Sequence, residues 1–216
     1  MRLMRITKFG HACLLLEEGK ARLLIDPGAY SKGFEGLEQL SAVLITHSHA
    51  DHMSPENLQA LRQRNPRMEI FVDAGSGDEL KQQSPDLKVK VVYKGDKFEV
   101  AGVPVKVEGE WHAQIHRTIP QIPNVAYLVG KKFFYPGDSF TVPDEKVEVL
   151  GLPIGAPWSK VSEVIDYVLA VKPKVAIPVH DAVLAMPDMY AGIVARFTKP
   201  EGIELRVVPN GESTEV

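Results

Sequence analysis

The sequence predicts an α/β fold, a four-layer αββα sandwich in which two mixed β-sheets pack face to face and helices cover each outer face. Three observations predict it. Short apolar and β-branched runs separated by turn signals fill residues 2–25 and again 89–135. After each such block, strand-like runs alternate with segments of helical periodicity, so both halves follow the same rough order. No tandem repeat or low-complexity linker divides the 216 residues, of which 44% are hydrophobic, enough to bury one core. The chain is therefore expected to form one domain over 1–216.

Residues 2–9 and 12–18 read as two strands joined at Gly10-His11, and 21–25 as a third that ends at the turn Asp26-Pro27-Gly28. Residues 29–40 are mixed and read as a loop with a short helix. Residues 42–46 form an apolar, buried strand. Ser54-Pro55 then supplies a serine cap and a proline at the first helical position, predicting a helix over 55–64 that stops before Pro66. Glu69–Val72 reads as a strand and 76–83 as a short helix. Val89–Tyr93, Lys97–Val100 and Val103–Glu108 are strands punctuated at Gly95-Asp96 and Gly102. A loop over 109–124 precedes the hairpin pair Val125–Val129 and Lys132–Tyr135. Val147–Leu150 reads as a buried strand. Apolar residues at 161, 164, 165, 168 and 169 make a helical stripe within 159–171. Lys174–Val179 is a strand, 187–198 a helix, and 203–208 a closing strand.

The 25 Lys and Arg against 28 Asp and Glu leave a net charge of −3 with no basic stripe, which argues against a nucleic-acid partner. No apolar run reaches the length of a membrane span, and the N-terminus lacks a signal-peptide core, so a cytoplasmic protein is expected. The single cysteine, Cys13, excludes an internal disulfide and reads as a small buried hydrophobe. Composition says nothing about oligomeric state.

The chemistry concentrates in His47-Ser48-His49-Ala50-Asp51-His52, between a strand end and a helix start. Three of the seven histidines fall within six positions. Imidazole and carboxylate without thiolate suit zinc, with manganese and iron(II) as alternatives. His47 and His49, two apart in an extended loop, can point at one ion. Asp51 and His52 diverge from that pair and suit a second.

The pattern H-x-H-x-D-H directly after a strand resembles the metal-binding signature of the metallo-β-lactamase superfamily of hydrolases. That resemblance implies three further ligands at strand ends, and the chain offers them in order: His112 after Val103–Glu108, Asp138 after Lys132–Tyr135, and His180 after Lys174–Val179. It implies that His47, His49 and His112 hold one divalent cation, that Asp51, His52 and His180 hold another, and that Asp138 bridges the two. A water shared by two such cations ionises at neutral pH and becomes the nucleophile. His116 rivals His112 for the third-histidine position, and would otherwise contact substrate.

Phe9-Gly10-His11-Ala12 resembles the branch that contains L-ascorbate-6-phosphate lactonase, in which a histidine of the first hairpin reaches the site rim. His11 is thus a candidate catalytic residue beside Asp51 and His116, or else a turn histidine. Asp26 is a candidate acceptor that orients a ligand imidazole, or a turn cap. Trp158 could wall a substrate pocket or pack in the core, and Asp181 could orient His180 or cap the next segment.

The expected function is a dinuclear metal-dependent hydrolase acting on a small ester, lactone or phosphoester. Two alternatives share the fold: an RNA or DNA phosphodiesterase, and a diiron redox enzyme. Redox members resemble H-x-E-x-D-H, with a carboxylate where this chain has His49, and RNA nucleases carry grasping insertions that this chain lacks.

Overall fold

A computed structural model describes residues 3–216. In chain order the first half contains β1 (Arg5–Lys8), β2 (Leu14–Glu18), β3 (Ala21–Ile25), β4 (Ala42–Leu44), α1 (Pro55–Arg64), β5 (Glu69–Val72), α2 (Ala74–Gln83) and β6 (Lys90–Val91). The second contains β7 (Lys97–Val100), β8 (Val103–Glu108), β9 (Ala126–Val129), β10 (Phe133–Tyr135), β11 (Val149–Pro153), α3 (Val161–Val171), β12 (Val175–Val179), α4 (Pro187–Thr198) and β13 (Glu204–Leu205), and β14 (Ser213–Glu215) closes the chain. The strands form two seven-stranded sheets, ordered β14-β1-β2-β3-β4-β5-β6 and β13-β12-β11-β10-β9-β8-β7.

Both sheets are mixed in the same way. Antiparallel hairpins (β1 to β3, β7 to β10) give way to parallel strands (β3 to β6, β10 to β13). Helices α1 to α4 occupy the parallel crossovers β4–β5, β5–β6, β11–β12 and β12–β13, whereas β3–β4 and β10–β11 are crossed by long loops. Ile6, Leu14, Leu16, Leu23, Ile25 and Leu44 of the first sheet meet Val105, Val107, Tyr127, Phe133, Tyr135 and Ile177 of the second in a shared core. Alternate residues of the same strands face outward. There Leu24, Val43 and Ile70 bury Leu58 and Leu61 of α1 and Leu80 of α2. On the other face Leu128, Leu150 and Ala176 bury Val164 and Val168 of α3 and Val194 of α4. Cys13 belongs to the first outer layer and is fully buried, and burial pushes its thiol well above its ordinary pKa, so it packs as a hydrophobe.

The differences from the sequence reading have local causes. Helix α2 begins at Ala74 rather than 76 because the Asp73 side chain accepts from the Gly75 and Ser76 amides and starts the helix. Residues 29–40 contain no helix among the described residues, only turns such as Leu37 N–H to Phe34 O. The strand expected at 147–150 runs over Val149–Pro153, its Gly and Pro having obscured its end. The closing strand at 203–208 shortens to β13, and a further strand, β14, pairs with β1. Ser213-Thr214-Glu215 is a polar edge with no apolar alternation to reveal it.

Two tyrosine hydroxyls cross the core. Tyr127 Oη donates to Ile45 O and Tyr135 Oη to Ala12 O, each at 2.8 Å, tying the second sheet to loops of the first. Removing either hydroxyl strands a buried carbonyl. Tyr127→Phe and Tyr135→Phe are each expected to destabilise the protein by about 1–3 kcal/mol, measured by urea unfolding, with the m-value unchanged.

Candidate metal centre

Most of the candidate residues lie beyond the carboxyl ends of strands that have a parallel neighbour, where α/β sheets place their ligands, whereas His112 follows the antiparallel strand β8 and His11 lies in the β1–β2 hairpin. Asp26 follows β3, the 47–52 loop follows β4, Asp138 follows β10 and His180 follows β12. His112 follows β8 and is pinned by its own amide to Ile122 O and by its carbonyl to Gln121 Nε2. The residues form two groups whose potential ligand atoms lie within 4.8 Å of one another: His47, His49, His112 and Asp138, and His11, Asp51, His52 and His180. Asp138 also lies 3.1 Å from His52 Nε2 and 3.1 Å from His180 Nε2, so it sits between the groups.

Each buried imidazole is oriented from behind. His52 Nδ1 donates to Asp26 Oδ2 at 2.7 Å, and His180 Nδ1 to Gly155 O at 2.7 Å. His112 Nδ1 donates to Ala113 O. Thr46 Oγ1 gives its proton to Asp26 Oδ2 at 2.7 Å and so accepts from His47 Nδ1 at 3.0 Å. With Nδ1 donating in all four, Nε2 of each ring faces the centre and offers a lone pair once it is deprotonated. His47 Nε2, His52 Nε2, His112 Nε2, His180 Nε2 and Asp138 Oδ1 are buried and have no hydrogen-bond partner among the described residues. Nε2 of His52 and Oδ1 of Asp138 approach at ion-pair distance without hydrogen-bond alignment. Buried polar atoms are rarely left without partners, and this set of nitrogen and oxygen donors fits divalent cations.

His11 has the opposite arrangement. The Ala182 amide donates to its Nδ1 at 3.1 Å, which places the ring proton on Nε2, 3.2 Å from Asp51 Oδ2. It therefore faces Asp51 as a donor, although it belongs to the second group by distance. The sequence reading set His11 at a rim; the structure buries it completely, its ring 3.9 Å from that of His180. His116 stands apart, exposed, its Nδ1 engaged by Thr118 Oγ1, so it is His112 that the fold brings to the first group. Asp181 pairs with the buried Lys8 rather than with His180.

Several contributors carried no signal in the sequence. A Cβ on Gly28 would lie 2.1 Å from the carbonyl of Asp51, so the 26–28 turn can support the 47–52 loop only with glycine there. Ala29 N–H to Ala50 O and Asn57 Nδ2 to Pro27 O complete that contact. Gly137, at φ 62°, packs against Thr46 and Asn124, and Asn124 Oδ1 accepts from the Asp138 amide at 2.9 Å. The only available cue was Asp-Pro-Gly as a turn, which says nothing of what the turn touches.

The electrostatics follow from crowding these groups together out of water. Burial pushes His47 well below the ordinary imidazole value, and His11 and His49 down as well. Burial also opposes protonation of His52, but the Asp138 and Asp26 carboxylates outweigh it and hold that ring charged. His180 is likewise pushed up to about 9, the Asp138 and Asp51 carboxylates close to its Nε2 overcoming burial. The same partners, against burial, keep Asp51 and Asp138 below the usual carboxylate range.

Comparison with known proteins identifies the family and the fold. The family model described as β-lactamase superfamily domain matches residues 5–180. The chain is 42% identical over 211 residues to the protein Rv0786c of Mycobacterium tuberculosis, covering 95% of this chain and 97% of that one. It is 26% identical over 233 residues to a UPF0173 metal-dependent hydrolase of Deinococcus radiodurans, covering 99% and 100% respectively. The solved structure of Igni18, a metallo hydrolase from Ignicoccus hospitalis, superposes with a TM-score of 0.78 at 19% identity over 99% of this chain and 98% of that one.

Two outcomes are expected of the centre itself. Cation ligation needs neutral imidazoles, while the metal-free protein keeps His52 and His180 protonated at pH 7. Zinc loading at pH 7 should therefore release the protons of these two imidazoles and one more from the water that the cations ionise, read by calorimetry in buffers of different ionisation enthalpy, and affinity should climb as pH rises towards 9. In the metal-free protein the protonation of His180 stabilises the fold fully below its ordinary 6.5, and that contribution is lost as pH rises through about 9. Asp26→Asn should weaken zinc binding roughly 10–100-fold, measured by competition with a chromophoric chelator.

Proposed function

Because the chain belongs to the β-lactamase superfamily domain family and is a metal-dependent hydrolase, we propose that it cleaves a small ester, lactone or phosphoester at a dinuclear centre. His47, His49 and His112 would hold one cation, Asp51, His52 and His180 the other, with Asp138 shared between them. Zinc leads, with manganese or iron(II) as alternatives. The observation that carries this reading is the set of buried ligand atoms aimed at one centre without a hydrogen-bond partner among the described residues. When bound, two divalent cations supply Lewis acidity toward a carbonyl or phosphoryl oxygen and an ionised water at neutral pH, so that no serine or cysteine nucleophile is needed.

The chain's own groups orient and hold charge. Asp51 is anionic at neutral pH and its carboxylate is steadied by His11 Nε2–H. Asp26 and Thr46 fix His52 and His47. His116, outside both groups on the exposed loop that leaves His112, is assigned to substrate contact. The Gly10-His11 hairpin favours the lactonase-like branch, and so a small carboxylic or phosphorylated ester. The whole chain, 1–216, would act as one hydrolase domain in the cytoplasm; among the described residues no helix is long and apolar enough to cross a membrane.

An activity screen across lactones, esters and phosphodiesters, with and without chelator, tests the reading. Activity should vanish with chelator and return with zinc. Asp51→Ala should lower turnover by more than the roughly 100-fold typical of outer-shell changes, with the far-UV spectrum unchanged. Survival of turnover on the identified substrate in Asp51→Ala would remove the proposed centre from the reaction.

A further inference from the structure

The loop between β11 and α3 touches the centre twice. Its Gly155 carbonyl orients His180, and its Trp158 indole Nε1 donates to Asp138 Oδ2 at 2.8 Å. An indole nitrogen donates only, so it can neither ligate a cation nor accept a proton. The ring is half-buried. It meets Phe140 edge-on at 5.1 Å and His112 at 5.9 Å, so its direction is set by packing as well as by the hydrogen bond.

The two oxygens of Asp138 are therefore unlike. Oδ2 carries a fixed neutral donor, while Oδ1 is buried without a hydrogen-bond partner among the described residues. The backbone of Asp138 is held separately, its amide by Asn124 Oδ1 and its carbonyl by the Ala113 amide. Those contacts fix where the residue sits but not how its carboxylate is turned. Trp158 is the neutral side-chain donor on that carboxylate; the other groups close to it are the imidazoles of His52, His112 and His180, which face the centre.

We propose that Trp158 is a positioning residue that sets the rotation of the Asp138 carboxylate, and with it the affinity of the centre for its cations. The inference rests on Asp138 being the shared ligand. It assigns the tryptophan a role beyond walling a pocket or filling a core.

The test compares the wild-type protein with Trp158→Phe, which keeps an aromatic ring against Phe140 and removes the N–H. Trp158→Phe is expected to bind zinc roughly 10–100-fold more weakly in chelator competition, and to lower kcat with little change in KM. A second measurement needs no variant to bind metal. The chain has two tryptophans, and the indole N–H signal absent from Trp158→Phe identifies Trp158 in a proton–nitrogen correlation spectrum. That signal should lie downfield of the one from the exposed Trp111, exchange slowly with solvent, and move on zinc addition. If wild type binds two zinc ions, Trp158→Phe binds them equally well and the indole signal ignores zinc, the positioning role is overturned while the hydrolase reading stands. If wild type itself binds no zinc, the centre fails first.

Discussion

The Nε2 atoms of four buried imidazoles and one carboxylate oxygen, aimed at one centre and without a hydrogen-bond partner among the described residues, are the constraint around which this molecule is arranged. Leaving such atoms unpaired costs on the order of 1–3 kcal/mol each, and a charged group costs more. The fold does not relieve the cost by turning the rings over. It fixes each ring the other way, with an acceptor behind every Nδ1: Asp26, Thr46, Ala113 and Gly155. Without a cation, protons shared with Asp51 and Asp138 take up part of the load, which is why His52 and His180 stay charged while His47 is driven neutral.

Holding those acceptors in place explains features that would otherwise be incidental. Asp26 lies in the left-handed region at φ 45°, and His180 at φ 60°. Both are non-glycine residues at a strand end, and both are over-determined by hydrogen bonds, including His180 N–H to His11 O at 2.7 Å. Gly28 and Gly137 let one loop lie against another where a side chain would force them apart. The centre is thus built from loops, but from loops whose backbones are each tied to a strand end or to one another.

The two sheets contribute unequally to the two groups, and the seam between them is stitched at the site. His11, from the first hairpin, accepts from the Ala182 amide beyond β12 while reaching Asp51. Lys8 and Asp181 pair across the same seam, and Tyr135 bonds Ala12 O from the opposite sheet. Slippage between the sheets would therefore separate the second group, which draws Asp51 and His52 from one sheet and His180 from the other. A shared apolar core sets the distance between the sheets, and these polar contacts set their lateral position.

The sequence by itself determined the order of elements from β1 to β13 apart from the helix expected in 29–40, the layer arrangement and the type of chemistry. Periodicity and caps are local, so the helices at 55–64 and 187–198 and the strands at 21–25, 69–72, 97–100 and 103–108 were legible with their boundaries. The six-residue histidine stretch, and a histidine or aspartate after three later strands, β8, β10 and β12, were legible because a ligand's residue type is visible wherever it sits. Tertiary structure decided what depends on contact between distant segments. It gathered His112 rather than His116 into the first group and buried His11 against Asp51. It also turned Asp181 to Lys8, and made Gly28, Asn124 and Trp158 part of the site. A residue that acts by hydrogen-bonding a ligand, or by leaving room for one, leaves no periodic or compositional trace, because its partner lies tens of residues away and is fixed only when the two sheets close on each other.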